Sequence, residues 1–136
     1  EVRREIVPDG REVVAGAFRH WADEAGADLI LATGGTGPSP RDQTPEALDD
    51  VAERHFPGFG ELMRAVSLRE VPTAILSRQG AGTRGATLIV TLPGKPAAID
   101  TCLDAVFPAI PYCLDLMDAA RIETDPSVCK AFRPAK

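Results

Sequence analysis

The order of apolar and polar residues predicts alternating strands and helices. Apolar residues 2–7 indicate a first strand, which ends at the turn residues Pro8-Asp9-Gly10. Over residues 13–25 the apolar positions recur at helical spacing, and Gly26 is suited to close that helix. The apolar run within residues 27–33 is typical of a strand covered on both faces. This strand–helix–strand unit predicts a parallel pair with a right-handed crossover.

The middle of the chain continues the alternation after a glycine-rich segment. Thr44 has the character of an N-cap residue, and its helix should continue to about His55. A shorter helix is expected over residues 61–68. Residues 74–78 and 86–92 are predicted strands, and the glycine-rich link between them is short enough to make them antiparallel.

A second strand-to-helix turn is predicted at residues 92–96. The helix that follows should cover residues 99–107 and resume over residues 112–117, because prolines interrupt it between those segments. The chain is too short for two ordinary domains and contains no repeat or linker. We therefore predict one α/β domain over residues 1–136, a mostly parallel open sheet with one antiparallel strand and helices on both faces.

Composition narrows the possible functions. A net charge of -5 argues against nonspecific nucleic-acid binding, which needs a basic surface. No unbroken apolar run approaches the ~20 residues that cross a bilayer, and the beginning lacks a signal-peptide pattern. The three cysteines contain no C-x-x-C pair, so neither a disulfide framework nor a zinc site is expected. We expect a cytoplasmic protein that binds neither membranes nor nucleic acid.

The candidate chemistry lies in the turns that end the predicted strands. In open α/β sheets ligands bind beyond the carboxyl ends of the strands, where Pro8-Asp9-Gly10, residues 34–44 and residues 92–96 should meet. The segment Gly34-Gly35-Thr36-Gly37 would let backbone N–H groups approach an anion closely. Such a loop alone is often only a tight turn.

The residues that follow the glycines make an anion site more specific. The Arg41 guanidinium can neutralise phosphate, the Thr44 hydroxyl can donate to it, and the Asp42 carboxylate can hold a divalent cation that bridges phosphates. The lysine that ends a Walker P-loop is missing from this segment. The pattern therefore predicts a phosphate-binding loop of another type.

Other candidate residues have alternative explanations. Asp9 would face Asp42 across the crevice, where two carboxylates would suit Mg²⁺, or it is a turn residue bonded to its own backbone. Ser77 and Arg78 would add a hydroxyl and a cation, although Arg78 is equally explained as a surface charge on an edge strand. Lys95 opposes the dipole of the helix that it begins, and a bound anion would explain it.

Several motifs, in this order, resemble those of the molybdopterin adenylyltransferases of molybdenum cofactor synthesis, a family related to the gephyrin G domain and to MoaB-type proteins. The resemblance covers nearly the whole chain, and the tail is most similar to the MogA branch. The matching segments are Thr33-Gly34-Gly35-Thr36-Gly37-Pro38, Arg41-Asp42-Gln43-Thr44-Pro45-Glu46, Pro57-Gly58-Phe59-Gly60-Glu61-Leu62-Met63-Arg64, Ala74-Ile75-Leu76-Ser77-Arg78, Leu92-Pro93-Gly94-Lys95-Pro96 and Ala131-Phe132-Arg133-Pro134.

The resemblance implies a three-layer fold, a homotrimer and an Mg²⁺-assisted reaction. In that reaction the phosphate of molybdopterin attacks the α-phosphate of ATP, pyrophosphate leaves, and adenylyl-molybdopterin forms. The product implies contact with the molybdate-inserting enzyme of the same pathway. The family's N-terminal strand, with its Ser-Asp-Arg loop, has no counterpart in the sequence, so we expect a domain that lacks it. A non-catalytic molybdopterin-binding module and a MoaB-type homologue, whose assembly could be hexameric, remain as alternatives.

The resemblance also assigns roles to residues. Asp9 and Asp42 match the family's functional aspartates, and either could bind the metal. The ligand phosphate would lie on the glycine-rich segment of residues 34–44, called here the glycine loop, and the remaining matches are contacts around it. The residues of the loop and its surroundings are Gly34, Gly35, Thr36, Gly37, Thr44, Ser77, Arg78, Pro93, Gly94 and Lys95.

Overall fold

A computed structural model describes all residues from Glu1 to Lys136. Four strands form one open sheet in the order β1-β4-β3-β2. The strands are β1 (Leu29–Thr33), β2 (Arg54–His55), β3 (Ala81–Arg84) and β4 (Thr87–Leu92). Only β1 and β4 are parallel, because β3 runs antiparallel to both of its neighbours. The α/β class and the open mixed sheet are confirmed, whereas the prediction of a mostly parallel sheet is wrong.

Five α-helices accompany the sheet, and short turns of other helix types extend three of them. The helices are α1 (Arg11–Arg19), α2 (Thr44–Val51), α3 (Pro57–Leu68), α4 (Pro96–Val106) and α5 (Ile110–Leu116). A π-helical turn (His20–Glu24) follows α1, and 3₁₀ turns follow α3 (Pro72–Leu76) and α4 (Phe107–Ala109). Gly26, with a φ of +67°, lies in the left-handed region after the π turn and ends that helix as predicted.

The central strand β4 separates two apolar cores. The strand predicted over residues 86–92 is confirmed, and all six residues of β4 are buried. Because side chains alternate along a strand, Leu88 and Val90 pack on one face and Ile89 on the other. The first core includes residues of α3, α4 and α5, and the second includes residues of α1 and α2. Helices therefore lie on both faces of the sheet, which gives three layers.

The predicted first strand does not form. Val2 is 87% exposed and Ile6 is 100% exposed, and only Val7 packs against a core cluster. β1 pairs with β4 alone, so residues 1–7 have no ladder to satisfy their backbone groups. The predicted parallel pair with a crossover is therefore wrong. Because β1 lies at the sheet edge, Leu31 is 40% exposed rather than covered on both faces.

The predicted strand over residues 74–78 is also wrong. Pro72 begins a 3₁₀ turn there, since proline fixes φ near the helical value and cannot donate to a ladder. The glycine-rich link supplies β3 instead. A Cβ on Gly82 would lie 2.8 Å from the carbonyl oxygen of Arg54, so the absence of a side chain allows β2 and β3 to approach. Small residues here make a strand, not merely a connection.

Two predicted helix boundaries differ from those in the structure, each for its own reason. Arg54 and His55 pair with β3, so α2 ends at Val51 instead of continuing to His55. Pro57 lies in the first turn of α3, where its missing N–H costs nothing, so this helix begins four residues before the predicted Glu61.

The stretch Pro96–Leu116 is long and apolar enough to cross a membrane by length and composition, with a mean hydropathy of 1.3. The short apolar runs of the sequence did not indicate this. The stretch is broken by the 3₁₀ turn between α4 and α5. Its residues Cys102, Ile110 and Leu114 are 0% exposed in the core beneath the sheet. These residues place one side of the stretch in the protein core.

Candidate active site

Three turns converge at one edge of the sheet. The N–H of Gly34 donates to the carbonyl of Leu92 at 2.9 Å, which joins the ends of β1 and β4. A Cβ on Gly94 would lie 3.5 Å from the Cα of Gly34. On the other side, the N–H of Arg11 donates to Oε1 of Gln43 at 2.9 Å. The turn Pro8-Asp9-Gly10 therefore lies against the glycine loop, as does the turn at Gly94.

The glycine loop is folded tightly onto the start of α2. Gly34 and Gly35 have φ values of +93° and +68°, in the left-handed region that favours glycine. The N–H of Thr44 donates to the carbonyl of Gly35 at 3.0 Å, and a Cβ on Gly35 would overlap the Thr44 hydroxyl. Thr44 is the first residue of α2, and Gln43 occupies the N-cap position without a side-chain cap. The predicted N-cap role of Thr44 is therefore wrong by one residue.

Asp42 organises the end of the loop with one carboxylate oxygen. Its Oδ2 accepts from the N–H of Ser39 at 3.1 Å, and its own N–H donates to the Ser39 carbonyl at 2.9 Å. A Cβ on Gly37 would lie 2.8 Å from the same Oδ2, so a side chain at this position would displace the carboxylate from its bond to Ser39. The other oxygen, Oδ1, has no hydrogen-bond partner in the protein and is available for a ligand.

Asp9 is exposed and its carboxylate makes no hydrogen bond within the protein. The alternative of a turn residue bonded to its own backbone therefore has no support in the structure. Through the bond between Arg11 and Gln43, Asp9 lies two residues from a direct contact with the segment that carries Asp42. Asp9 therefore lies two residues before the Arg11–Gln43 contact, and Asp42 lies one residue before Gln43.

Ser77 and Thr36 connect the glycine loop to the segment before β3. Their hydroxyl oxygens lie 3.0 Å apart, and Thr36 is only 4% exposed. The N–H of Arg78 donates to the Thr36 carbonyl at 2.8 Å. The first contact holds the side chain of Thr36 and the second holds its main chain, so together they fix the middle of the loop.

The Arg78 guanidinium binds three groups of the loop and α2. Nη1 donates to Oε1 of Glu46 at 2.6 Å, and Nη2 donates to the carbonyls of Asp42 and Gly37 at 2.8 and 3.1 Å. Nε also donates to the Gly37 carbonyl at 3.3 Å. The hydrogen bond from Arg78 holds the pKa of the Glu46 carboxyl below its usual value. Arg78 therefore does not lie on an edge strand, and its side chain, although 42% exposed, is bound to the loop and to α2.

Two cations beside the loop have no partner in the protein. Arg41 and Lys95 are both exposed, and their side chains form no hydrogen bond or ion pair within the protein. Arg41 immediately precedes Asp42, and Lys95 follows Gly94 and occupies the N-cap position of α4. Pro93 completes that turn and is half-buried. Free cations and backbone N–H groups therefore create a locally favourable site for an anion in a chain of negative net charge.

Three contributors to this geometry were missed from the sequence. Gln43 and Glu46 each lie 32 residues from the arginine that they contact. Arg64 of α3 donates to the carbonyls of Gln79 and Ser77 at 2.9 and 3.4 Å. No local spacing rule links side chains so far apart. The sequence signals were the acid in the first turn of α2 and the positions of Gln43, Glu46 and Arg64 in the family motifs.

A neighbouring surface cleft does not coincide with the glycine loop. A cavity of about 230 Å³ lies between α2 and α3, and Arg78 and Gln79 form part of its wall. None of residues 34–44 lines it. The loop instead faces an open edge of the sheet. No three acidic, histidine or cysteine side chains come close enough to hold a metal ion on their own.

Comparison with known proteins identifies this arrangement. The family model described as a probable molybdopterin binding domain matches residues 1–112. Molybdopterin adenylyltransferase of Helicobacter pylori is 53% identical over 96% of this chain and 74% of its own length. The Escherichia coli K12 protein of the same name is 42% identical over 98% of this chain and 75% of its own length.

The fold agrees with the sequence matches. The crystal structure of the molybdopterin biosynthesis enzyme MoaB from Thermus thermophilus superposes with a TM-score of 0.77 and 48% identity, over 84% of this chain and 72% of that one. A structure of MogA superposes with a TM-score of 0.80 and 38% identity, over 86% of this chain and 76% of that one. Because the family model matches most of the chain and these relatives are similar over nearly its whole length, the chain belongs to the molybdopterin adenylyltransferase family.

Proposed function

We propose that this edge of the sheet transfers AMP from ATP to the phosphate of molybdopterin and releases pyrophosphate. The observation that carries the proposal is the glycine loop itself. Gly34 and Gly35 hold left-handed backbone against Thr44, while Arg41 and Lys95 beside the loop have no protein partner. Phosphoryl-type transfer needs positioning and charge neutralisation more than a covalent nucleophile, and this site offers both. The activity is also that of the relatives in molybdenum cofactor biosynthesis.

The residues would act in the following way. Backbone N–H groups of the glycine loop, with the hydroxyls of Thr44 and Ser77, hold one phosphate group, and Arg41 and Lys95 neutralise the others. An oxygen of the molybdopterin phosphate forms a bond to the α-phosphorus of ATP. The bond from that phosphorus to the bridging oxygen of the β-phosphate breaks, and pyrophosphate leaves with the bonding electron pair.

The two aspartates fit a magnesium ion. Oδ1 of Asp42 and both oxygens of Asp9 are free, and carboxylate oxygens are the ligands that Mg²⁺ prefers. Mg²⁺ usually takes only one or two carboxylates and completes its shell with water and substrate phosphates, which suits a site without a third acid. When bound, the ion would neutralise charge on the phosphates of ATP. Asp42 and Asp9 would orient those phosphates against the loop.

A pyrophosphate-release assay tests the proposal. The purified chain with molybdopterin, ATP and Mg²⁺ should release pyrophosphate and form adenylyl-molybdopterin, and removal of divalent ions with EDTA should abolish turnover. Catalytically competent relatives assayed alongside would show that the substrates are intact. Molybdopterin binding without turnover would favour the non-catalytic binding module instead. Turnover unchanged by EDTA would remove Mg²⁺ from the proposal.

We further propose that the chain works as a homotrimer in the cytoplasm, where its three free thiols would remain reduced. Exposed aliphatic residues concentrate on α3 and the 3₁₀ turn that packs against it. They are Leu62, Leu68, Val71, Ile75 and Leu76, each between 42% and 65% exposed. An apolar cluster of this kind marks a contact surface, and the family resemblance favours three copies. The product would pass to the molybdate-inserting enzyme of the pathway.

Ile75→Glu should convert this assembly to monomers, because it places a charge on the most exposed residue of the apolar cluster. Light scattering would report a mass near 14.5 kDa for the variant and, for the wild type, a mass that is a multiple of the single-chain mass. Leu116→Glu is the matched control, since Leu116 is 68% exposed but lies outside the cluster. A wild-type hexamer would favour the MoaB-type alternative, and a wild-type monomer would exclude this interface.

A further inference from the structure

We propose that Arg78 is a positioning residue. Its guanidinium holds the glycine loop in shape and does not bind the substrate phosphate itself. The inference rests on the proposed function. It is based on the hydrogen bonds that the Arg78 guanidinium already makes within the protein. It makes four hydrogen bonds to the protein, and all four end on the loop or on the first turn of α2.

The two main-chain acceptors explain what Arg78 does for the loop. The carbonyls of Gly37 and Asp42 lie at the two ends of the segment that contains Arg41 and the Ser39–Asp42 turn. Arg78 bridges them at 3.1 and 2.8 Å and so fixes the distance across the base of that segment. It also neutralises two carbonyl dipoles that would otherwise repel an anion. The planar fork of an arginine can satisfy both carbonyls and a carboxylate together, which a lysine cannot.

Arg78 is itself held in place from several directions. Glu46 on the first turn of α2 binds Nη1 at 2.6 Å, and the N–H of Arg78 donates to the Thr36 carbonyl at 2.8 Å. On either side of Arg78 along the chain, Arg64 binds the carbonyls of Ser77 and Gln79. The side chain therefore joins the loop, α2 and the segment before β3 into one unit.

The pairing with Glu46 also removes Arg78 as a source of net charge. An arginine beside an ionised carboxylate adds little positive charge to the crevice, so Arg41 and Lys95 remain as the cations for the substrate. The two interpretations of Arg78 then make opposite predictions for Glu46. If Arg78 bound phosphate, loss of Glu46 would free it and tighten binding. If Arg78 positions the loop, loss of Glu46 would impair the reaction.

Kinetics of Arg78→Lys, Glu46→Ala and Glu46→Gln distinguish these interpretations. We expect Arg78→Lys and Glu46→Ala to lower kcat by about 10- to 100-fold, because small displacements of reacting groups cost this much, and to change KM for ATP far less. Glu46→Gln should recover most of the activity, since an amide oxygen still accepts from Nη1. Arg84→Lys is the matched control. Arg84 also bridges a carboxylate, Asp23, and a main-chain carbonyl. It pairs with Thr87 at the start of β4, whereas the loop lies at the end of that strand, so kcat of this variant should not change.

Hydrogen exchange of residues 37–44 gives a readout that does not depend on turnover. Arg78→Lys should speed exchange of the Asp42 N–H, which bonds to the Ser39 carbonyl, while thermal unfolding shows that the domain stays folded. Unchanged loop exchange, or a lower KM for ATP in Glu46→Ala, would overturn the positioning role. If the wild type fails to release pyrophosphate, the proposed reaction is wrong, and the exchange result alone decides whether Arg78 shapes the loop.

Discussion

Gly35→Ala should lower kcat/KM by about 100-fold, since it displaces the loop that positions the substrate phosphate. Gly35 has a φ of +68°, where an alanine is strained by about 1–2 kcal/mol. The added Cβ would also overlap the Thr44 hydroxyl. The overlap cannot be relieved by rotating a distant side-chain end, because Thr44 is buried and its N–H is bonded to the Gly35 carbonyl. The loop and the start of α2 must therefore move apart, which a pyrophosphate-release assay would detect as lost turnover.

Two glycine variants separate the causes of this effect. Gly16→Ala adds a Cβ to an exposed position of α1 with nothing within 4 Å, so activity should be unchanged and stability equal or slightly higher. Gly34→Ala introduces backbone strain at a φ of +93° without any overlap, so its melting temperature should fall less than that of Gly35→Ala. Normal kinetics in Gly35→Ala would show that the loop does not hold the substrate.

The features that the sequence predicted correctly depend on neighbouring residues. The apolar run of β4, the left-handed position of Gly26 and the turn at residues 92–96 are each determined within a few residues. The segment from Gly34 to Thr44 also depends on neighbouring residues, because glycines indicate positive φ angles and the residues around position 44 indicate a helix start. These local turns hold most of the candidate site. The edge at which they meet could therefore be inferred before the sheet was known.

The errors concern residues whose structure depends on distant partners. Residues 2–7 have strand character, yet no strand beside β1 receives them, so their apolar side chains remain exposed. Gly82 has little strand propensity, yet β3 forms because β4 and β2 supply hydrogen bonds on both sides. The same limitation hid the pair Glu46–Arg78, because its two residues lie 32 positions apart. Sequence spacing could suggest that Arg78 was important but not which groups it binds.

Asp42→Asn should lower turnover by about 100-fold or more, a loss typical of removing one group that stabilises developing charge, while the protein stays folded. The asparagine side chain can still accept from the N–H of Ser39 through its amide oxygen, so the turn that now uses Oδ2 is retained. What disappears is the negative charge on the free oxygen, and with it a ligand for Mg²⁺. The melting temperature should therefore change little, whereas the Mg²⁺ concentration for half-maximal turnover should rise.

Asp104→Asn is the appropriate comparison for this substitution. It makes the same change of charge on an exposed position of α4 and should leave both turnover and Mg²⁺ dependence as in the wild type. Asp9→Asn should resemble Asp42→Asn if the two acids share the ion, because neither Asp9 oxygen has another partner. If Asp42→Asn retains full activity with the wild-type Mg²⁺ requirement, Asp42 only supports the turn at Ser39. The catalytic carboxylate would then have to be sought elsewhere along the edge, first at Asp9.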